Sequence, residues 1–449
     1  MFSIDDSIVA VATPPGRGGI GVVRISGPGA REIAGAMLAR SEPLDARRAT
    51  FTRLVASGRD VLDEVVATYF PAPHSYTGEH VVEISAHGSP VVLRAIVARA
   101  LEIGARLAKP GEFTLRAFLN GKRDLIQAEA VADLIAAATP MQARAAFDQL
   151  EGTLTRRIAD IDTELFALIA RLEASLDFPD EGYHFIEPEE TGRQLGAVVS
   201  GLDRLLVGAR KGRLIREGAT LVVGGRPNVG KSSIFNMLVG ADRAIVGETA
   251  GTTRDLVSEQ IDLEGLAVTI VDTAGVRETM DAVEREGVAR AERASAIADL
   301  LVLVIDGSVP PSDEDQRLLE RTTTCHRLVV ANKADLPAAE VHGHQPDVRV
   351  SARTGFGVDQ LRRLIVRELT GDESLRDPAA VSNMRHINLL GQARTRLLAA
   401  QELVGTGEAP EEFVLADLQA ARASLEEIVG TRANEALLEH IFANFCVGK

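Results

Sequence analysis

Three scarcities bound what this chain can be. It has only two cysteines, Cys325 and Cys446, in 449 residues. That excludes a disulfide framework and suits a reducing compartment, so a cytoplasmic location is expected. Nowhere does it hold a run of 18 apolar residues, so no membrane span is expected. Basic charge is short as well: 49 Lys+Arg stand against 64 Asp+Glu, a formal net charge of −15. Nonspecific nucleic-acid binding needs basic surface, so the whole chain is no simple nucleic-acid coat protein. The densest basic segment, Arg210-Lys-Gly-Arg-Leu-Ile-Arg216, reads either as a local basic patch or as a solvated helix end or linker. The start, Met1-Phe-Ser-Ile-Asp-Asp6, is acidic, and no signal peptide is expected there. What remains is ordinary soluble-protein composition, 45% hydrophobic and 25% charged, with length for two to four domains.

The chain is organised around Thr220-Leu-Val-Val-Gly-Gly-Arg-Pro-Asn-Val-Gly-Lys-Ser-Ser233. Gly225 and Gly230-Lys231-Ser232 fit the phosphate-loop pattern, preceded by an apolar β-branched run and followed by a helical one. Glycines admit backbone N–H groups to phosphate oxygens, and the helix N-terminus adds positive charge. In this reading Asn228, Val229, Gly230, Lys231, Ser232 and Ser233 bind GTP, with the Ser232 hydroxyl on Mg²⁺. Downstream, the strand Val268-Thr-Ile-Val-Asp-Thr-Ala-Gly275 presents Asp272, Thr273, Ala274 and Gly275 to the Mg²⁺ shell and the γ-phosphate. Between the two lies Ala250-Gly-Thr-Thr-Arg-Asp255, whose Thr253 gives a second hydroxyl to Mg²⁺. Asn332-Lys333-Ala334-Asp335 ends another strand. The Asp335 carboxylate suits guanine N1–H and its exocyclic amine, a donor pair adenine lacks. Ser351-Ala352-Arg353 places a backbone N–H on guanine O6. Val276 stands where Ras-like proteins carry a water-orienting glutamine, so another group must do that work.

Around this core the pattern changes twice. Residues 1 to about 120 read as α/β: Ile8–Ala12, Ile20–Ile25, Val65–Phe70 and Val81–Ile84 are strand-like, and segments near Gly29–Ala39 and Val91–Ile103 are helical. Thr13-Pro-Pro-Gly-Arg-Gly-Gly19 is a loop followed by a strand, so it is a shaped turn rather than a second phosphate loop. From about Leu125 long helices follow. Leu154, Ile158, Ile161, Leu165, Leu168 and Leu172 form an a/d seam, and Gln194–Ala209 reads as a further helix. Helices resume after the nucleotide-binding region at Ile387–Leu403 and Phe413–Phe442. The expected fold is multidomain α/β plus all-α, with an N-terminal α/β domain (1–120) and a Ras-like P-loop G domain (218–372). The G domain is inserted into a discontinuous helical bundle, 121–217 and 373–449.

Several stretches resemble the MnmE (TrmE) family of tRNA-modifying GTPases. They are Ala12-Thr-Pro-Pro-Gly-Arg-Gly-Gly19, Ser75-Tyr-Thr-Gly-Glu79, Pro110-Gly-Glu-Phe-Thr-Leu-Arg-Ala-Phe-Leu-Asn120, Gln127-Ala-Glu-Ala-Val-Ala-Asp-Leu134, Asp177-Phe-Pro-Asp-Glu181 and Phe445-Cys-Val-Gly-Lys449, besides the GTPase set. The resemblance runs end to end. It implies a folate-binding-like N-terminal domain that dimerises and takes a tetrahydrofolate derivative (5-formyl- or methylene-tetrahydrofolate). By matching position, Arg24, Glu83, Lys122 and Lys449 would contact it, although Arg24 on a strand equally suits a salt-bridged surface residue. With an FAD-dependent MnmG (GidA)-type partner, the family installs a carboxymethylaminomethyl-type group on C5 of the tRNA wobble uridine. Given the −15 net charge, that partner is expected to carry much of the tRNA binding. Glu284 matches the family's water-positioning glutamate, against an exposed switch carboxylate as the alternative. Asn228 matches its potassium ligand; Gly247, Glu248, Thr249, Ala250, Gly251 and Thr252 form the loop that would close over the ion, with Gly247, Thr249 and Thr252 as further ligands. Gly247 departs from the side chain expected there, and a backbone carbonyl ligand survives the change. Cys446 has either a chemical role in modification or a buried structural one; Lys449 argues against prenylation. A ribosome-assembly or regulatory switch GTPase is the rival reading, but it needs neither the N-terminal domain nor Cys446.

Overall fold

The computed structural model describes residues 5–57, 60–177, 188–241, 257–272, 298–339, 345–371, 381–406 and 410–448. The chain forms two compact units. One comprises Met1–Ala132, Gln149–Ala159 and Arg422–Lys449; the other comprises Asp133–Asp148 and Asp160–Ala421. Among the described residues no helix is long and apolar enough to cross a membrane.

The first unit opens with β1 (Ile8–Val11), β2 (Gly18–Ser26), α1 (Ala30–Met37), β3 (Thr50–Val55), β4 (Val61–Phe70), β5 (Val81–Gly88), α2 (Pro90–Ile103), β6 (Arg106–Leu107) and α3 (Glu112–Leu119). Its sheet has the order β3-β4-β5-β2-β1-β6, antiparallel except for the β1–β6 pair. Alternation decides what each face carries. Val23, Ile25, Val82 and Ile84 turn toward α1 and α2 and join one core. Arg24 and Glu83, cross-strand partners in register, point to the other face. Edge strand β3 escaped sequence reading because only Leu54 in it is buried, too weak a period-2 signal.

Two of the motifs that carry the family resemblance build a buried polar network beneath that second face. Arg116, 1% exposed, donates to the Glu79 and Glu112 carboxylates and to Asp6. Ser26 Oγ donates to Glu79 at 2.6 Å and lies 2.7 Å from the Thr77 hydroxyl. Arg106 pairs with both Asp6 and Glu112. The Arg106 hydrogen bond, with help from Arg116, holds the Asp6 carboxyl below the usual carboxylate range. Burial pushes Glu112 up, but Arg106 and the Lys109 N–H outweigh it, and its net shift is also downward.

Chain order continues with α4 (Leu125–Ala136), α5 (Pro140–Leu150), α6 (Thr153–Asp177), α7 (Pro188–Leu206), α8 (Ala209–Glu217), β7 (Ala219–Gly224), α9 (Lys231–Ala241), β8 (Val257–Leu263), β9 (Leu266–Asp272), β10 (Leu300–Asp306), α10 (Asp313–Arg321), β11 (Arg327–Asn332), β12 (Val348–Arg349), α11 (Val358–Thr370), α12 (Met384–Thr406), α13 (Glu411–Val429) and α14 (Glu435–Ala443). All six residues of the expected a/d seam on α6 are buried. α7 packs on α12, burying Leu195, Val198 and Leu202 with Leu390, Ala393 and Leu397. A second sheet, β12-β11-β10-β7-β9-β8, is parallel except for β8. α8, α9 and α11 cover one face through Leu214, Ile234, Leu238, Leu361 and Ile365; α10 covers the other through Leu318 and Leu319. A nucleotide-type α/β sheet thus interrupts a run of helices, as expected.

Three local expectations need correction. Phe413–Phe442 is not one helix: it breaks between α13 and α14, where Gly430 takes φ 96° and Asn434 caps the new N-terminus. The helix expected at Gln194–Ala209 ends at Leu206, and Gly208, with φ 77°, opens α8. The basic segment 210–216 is not a linker. It is α8, with Leu214 and Ile215 buried and Arg216 held by Asp133 at 2.7 and 2.8 Å.

Replacing Arg116 with Met should strand three carboxylates around a buried site and destabilise the first unit by roughly 3–5 kcal/mol. Because Asp6 and Glu112 have depressed folded-state values, the stability they contribute is present above the unfolded carboxylate range and is lost as pH falls through the folded values. Thermal unfolding of the full chain between pH 7 and 3 checks both. An unchanged first-unit transition in Arg116→Met would show that the network contributes nothing.

Candidate functional site

The phosphate loop follows directly from β7. Gly225 has φ 142°, and a Cβ there would lie 2.3 Å from the Val304 carbonyl oxygen; at Gly230, φ 97°, it would lie 2.2 Å from Asn332 Nδ2. Neither position accepts a side chain. Asn228 also sits in the left-handed region, at φ 65°, which asparagine tolerates. The loop ends as α9 begins at Lys231, so the N–H groups of the first turn face the loop, the arrangement that binds anions at helix N-termini. Ser232 and Ser233 are exposed on that turn. Lys231 Nζ donates to the Arg226 carbonyl at 3.0 Å. Burial pushes its ammonium down, opposed by Asp272 and Glu314. Asp272, 5% exposed, closes β9 in register with Val223 of β7. An exposed serine hydroxyl on the first turn of α9 and a carboxylate at the end of the neighbouring strand fit the donor chemistry of Mg²⁺.

The base-reading residues converge on the same loop. Asn332, 4% exposed, donates from Nδ2 to the Val229 carbonyl at 2.9 Å and accepts from the Ala352 N–H at 3.1 Å. Ala334 N–H donates to Val350 at 3.0 Å. Asp335 accepts from Ser351 Oγ at 2.5 Å and pairs with Arg353 at 2.5 Å; the serine hydroxyl is the leading cause of its lowered value. Lys333, at φ 65°, pairs with Asp306 at 2.6 Å. Asp306 escaped sequence reading, although an acidic residue ending a strand of a parallel sheet is a signal in itself. Gly247, Glu248, Thr249, Ala250, Gly251, Thr252, Thr253, Thr273, Ala274, Gly275 and Glu284 lie outside the described residues.

A second cluster forms in the first unit. The Arg24 guanidinium pairs with Glu83 at 2.8 Å and donates to the Gly448 carbonyl at 3.3 Å. It also lies over the rings of Tyr76, at 5.1 Å, and Phe113, at 5.6 Å. Arg123 reaches the same Tyr76 ring at 5.6 Å; the neighbouring Lys122 is exposed. Arg24 is therefore ion-paired, as the plainer reading held, yet its side chain is 11% exposed rather than a surface group. The chain end is seated here too: a Cβ on Gly448 would strike the Val11 carbonyl at 2.3 Å. Lys449 lies outside the described residues. Cys446 is exposed, so the buried structural reading of this cysteine fails. Tyr76 and Phe113 were not singled out from sequence, because an aromatic platform is visible only once the β4–β5 connection and α3 come together under the Arg24 cation.

A glycine-shaped loop between a parallel strand and a helix, with Asp272 at the next strand end and an Asn-Lys-Ala-Asp reader tied to the loop, defines a P-loop GTPase. Family models described as "GTP-binding protein TrmE N-terminus" and "MnmE helical domain" match residues 7–122 and 125–446. Proteins named tRNA modification GTPase MnmE are similar throughout. Those of Koribacter versatilis (44% identical, all of both chains), Thiobacillus denitrificans (44%, 99% of this chain and 98% of that one) and Moorella thermoacetica (42%, 99% and 100%) are examples. The chain belongs to the MnmE family of tRNA modification GTPases.

Proposed function

We propose that this chain is a GTP hydrolase whose cycle drives the modification of tRNA. The observation that carries this is Asn332, whose side chain ties the phosphate loop to Ala352, next to the Ser351 whose hydroxyl Asp335 accepts. In this reading Val229, Gly230, Lys231 and Ser233 hold the phosphates, Ser232 and Thr253 hold Mg²⁺, and Asp335 selects guanine. The G domain is 218–372 within the helical parts 121–217 and 373–449, and 1–120 is the N-terminal domain. Asp335→Asn should shift preference from GTP to xanthosine triphosphate, because xanthine presents a carbonyl where guanine presents an amine. A competition assay with both nucleotides checks this; an unchanged ratio rules out the assignment.

Hydrolysis should need potassium and pairing of two G domains. Negative charge spreads over the phosphoryl oxygens in the transition state, and a cation must meet it. Asn228, exposed in the phosphate loop, would hold a monovalent ion there, with Gly247, Thr249 and Thr252. When bound, potassium supplies the charge an arginine finger supplies elsewhere, worth about 10³–10⁵ in rate. Glu284 would orient the water that Val276 cannot. Turnover should be fast in KCl and slow in NaCl, with the difference lost in Asn228→Ala. Glu284→Ala should lower kcat with nucleotide binding intact. Equal rates in the two salts, at concentrations that permit pairing, would refute the potassium mechanism.

For the modification itself, a tetrahydrofolate derivative would bind at Arg24, Glu83, Lys122 and Lys449 in a homodimer. An FAD-dependent MnmG-type partner would complete a carboxymethylaminomethyl-type group on C5 of the wobble uridine in the cytoplasm. The residues fit: Arg24 and Lys122 suit a glutamate tail, Glu83 suits a pterin N–H face, and Tyr76 and Phe113 offer a ring surface beside them. The exposed Cys446 stands two residues from Gly448, whose carbonyl Arg24 binds, so a chemical role is assigned to it. Cys446→Ser should abolish the modified uridine and leave GTP hydrolysis near normal, as read by nucleoside mass analysis. Calorimetry of the full-length protein with 5-formyl-tetrahydrofolate should give binding that Arg24→Ala removes. Normal uridine modification in the cysteine variant, or no folate heat with the wild type, defeats the respective assignment.

A further inference from the structure

Arg226 is the second residue of the phosphate loop, and its guanidinium does not face the loop's interior. Its Nε donates to both carboxylate oxygens of Asp315, at 2.9 and 3.1 Å. Asp315 is 2% exposed, a buried charge whose orientation is fixed by more than this arginine. Oδ2 also accepts from the Ser312 N–H at 3.0 Å and from the Ser312 hydroxyl at 2.8 Å, within the capping box of α10. α10 is in turn anchored by Leu318 and Leu319 on Leu303, Ile305, Val329 and Ala331 of the sheet. The Arg226 carbonyl, on the inner side, accepts from Lys231 Nζ at 3.0 Å. Arg226 is therefore held at both ends: by an acid on a rigid helix outside the loop and by the loop's own lysine inside it.

We propose that Asp315 is a positioning residue for the phosphate loop, acting through Arg226. The pair holds the loop's entry against α10 and keeps the guanidinium off the phosphates, which leaves Lys231 as the loop's own phosphate-facing cation. A charge-assisted contact to a buried carboxylate is strong enough for this task. The inference rests on the GTP-site reading above.

The test is a double-mutant cycle in the full-length chain on Arg226→Ala and Asp315→Ala, read as the dissociation rate of a fluorescent GDP analogue and as KM and kcat for GTP. Each single variant should release the nucleotide about tenfold faster, and the double variant no faster than either single one. KM should rise with dissociation while kcat falls less. Asp315→Asn, which keeps the shape and the capping acceptor but not the charge, should give a smaller loss in the same direction; it serves in place of Asp315→Ala should that variant not fold. Wild-type rates in Asp315→Asn, or losses that add in the double variant, overturn the proposal, since a cap that merely stabilises α10 would leave the two positions independent. A wild-type protein that binds no guanine nucleotide overturns the site reading itself instead.

Discussion

The nucleotide site depends on one buried side-chain amide. Asn332 closes β11, and its two polar atoms are spent on backbone groups of two different loops. Buried amide groups are costly when unpaired, so this side chain is stable only with both loops in place. That makes the phosphate loop and the base-reading loop a single rigid body. It also explains the glycine at 230: a Cβ there would lie only 2.2 Å from the Asn332 amide nitrogen. Specificity for a base and grip on its phosphates are then properties of one object rather than of two loops that happen to be near each other.

The first unit solves a different problem with the same means. Its sheet buries one face in apolar contacts and leaves the other with charges, Arg24 and Glu83 among them. Beneath that face Arg116 on α3 collects Asp6, Glu79 and its own helix's Glu112, and the segments carrying Asp6 and Glu79 are anchored by it. Gly111 lets the chain pass close to Phe442, since a Cβ would meet its carbonyl at 2.8 Å. The terminal segment that carries Cys446 is thereby seated beside the Arg24 cluster. Three residues of the stretches that carry the family resemblance, Glu79, Glu112 and Arg116, build the support for a site.

The phosphate loop, Asp272 at the end of β9 and the a/d seam were all legible in the sequence, because each is a local pattern. A glycine spacing reports backbone angles, and a 4-3 step reports one helix face, whatever lies elsewhere in the chain. The insertion of an α/β domain into a helical one was legible for the same reason, as a change of period along the chain. Break points were less so: the helical spacing read over Phe413–Phe442 carried through Gly430, where a single residue at φ 96° ends one helix.

Only the tertiary structure decided which way particular side chains serve. Arg226 could have faced phosphate; it faces Asp315, 89 residues away, because β10 and α10 bring that acid beside the loop. Arg24 could have been a surface ion pair; contact with the Gly448 carbonyl and with the rings of Tyr76 and Phe113 made it the centre of a cluster. Cys446 could have been a packing residue, and the turn after α14 leaves it exposed. The physical reason is common to all three. Periodicity and spacing record where the backbone goes, whereas the partner of a long polar side chain is set by strand order and register, which join residues that no local pattern connects.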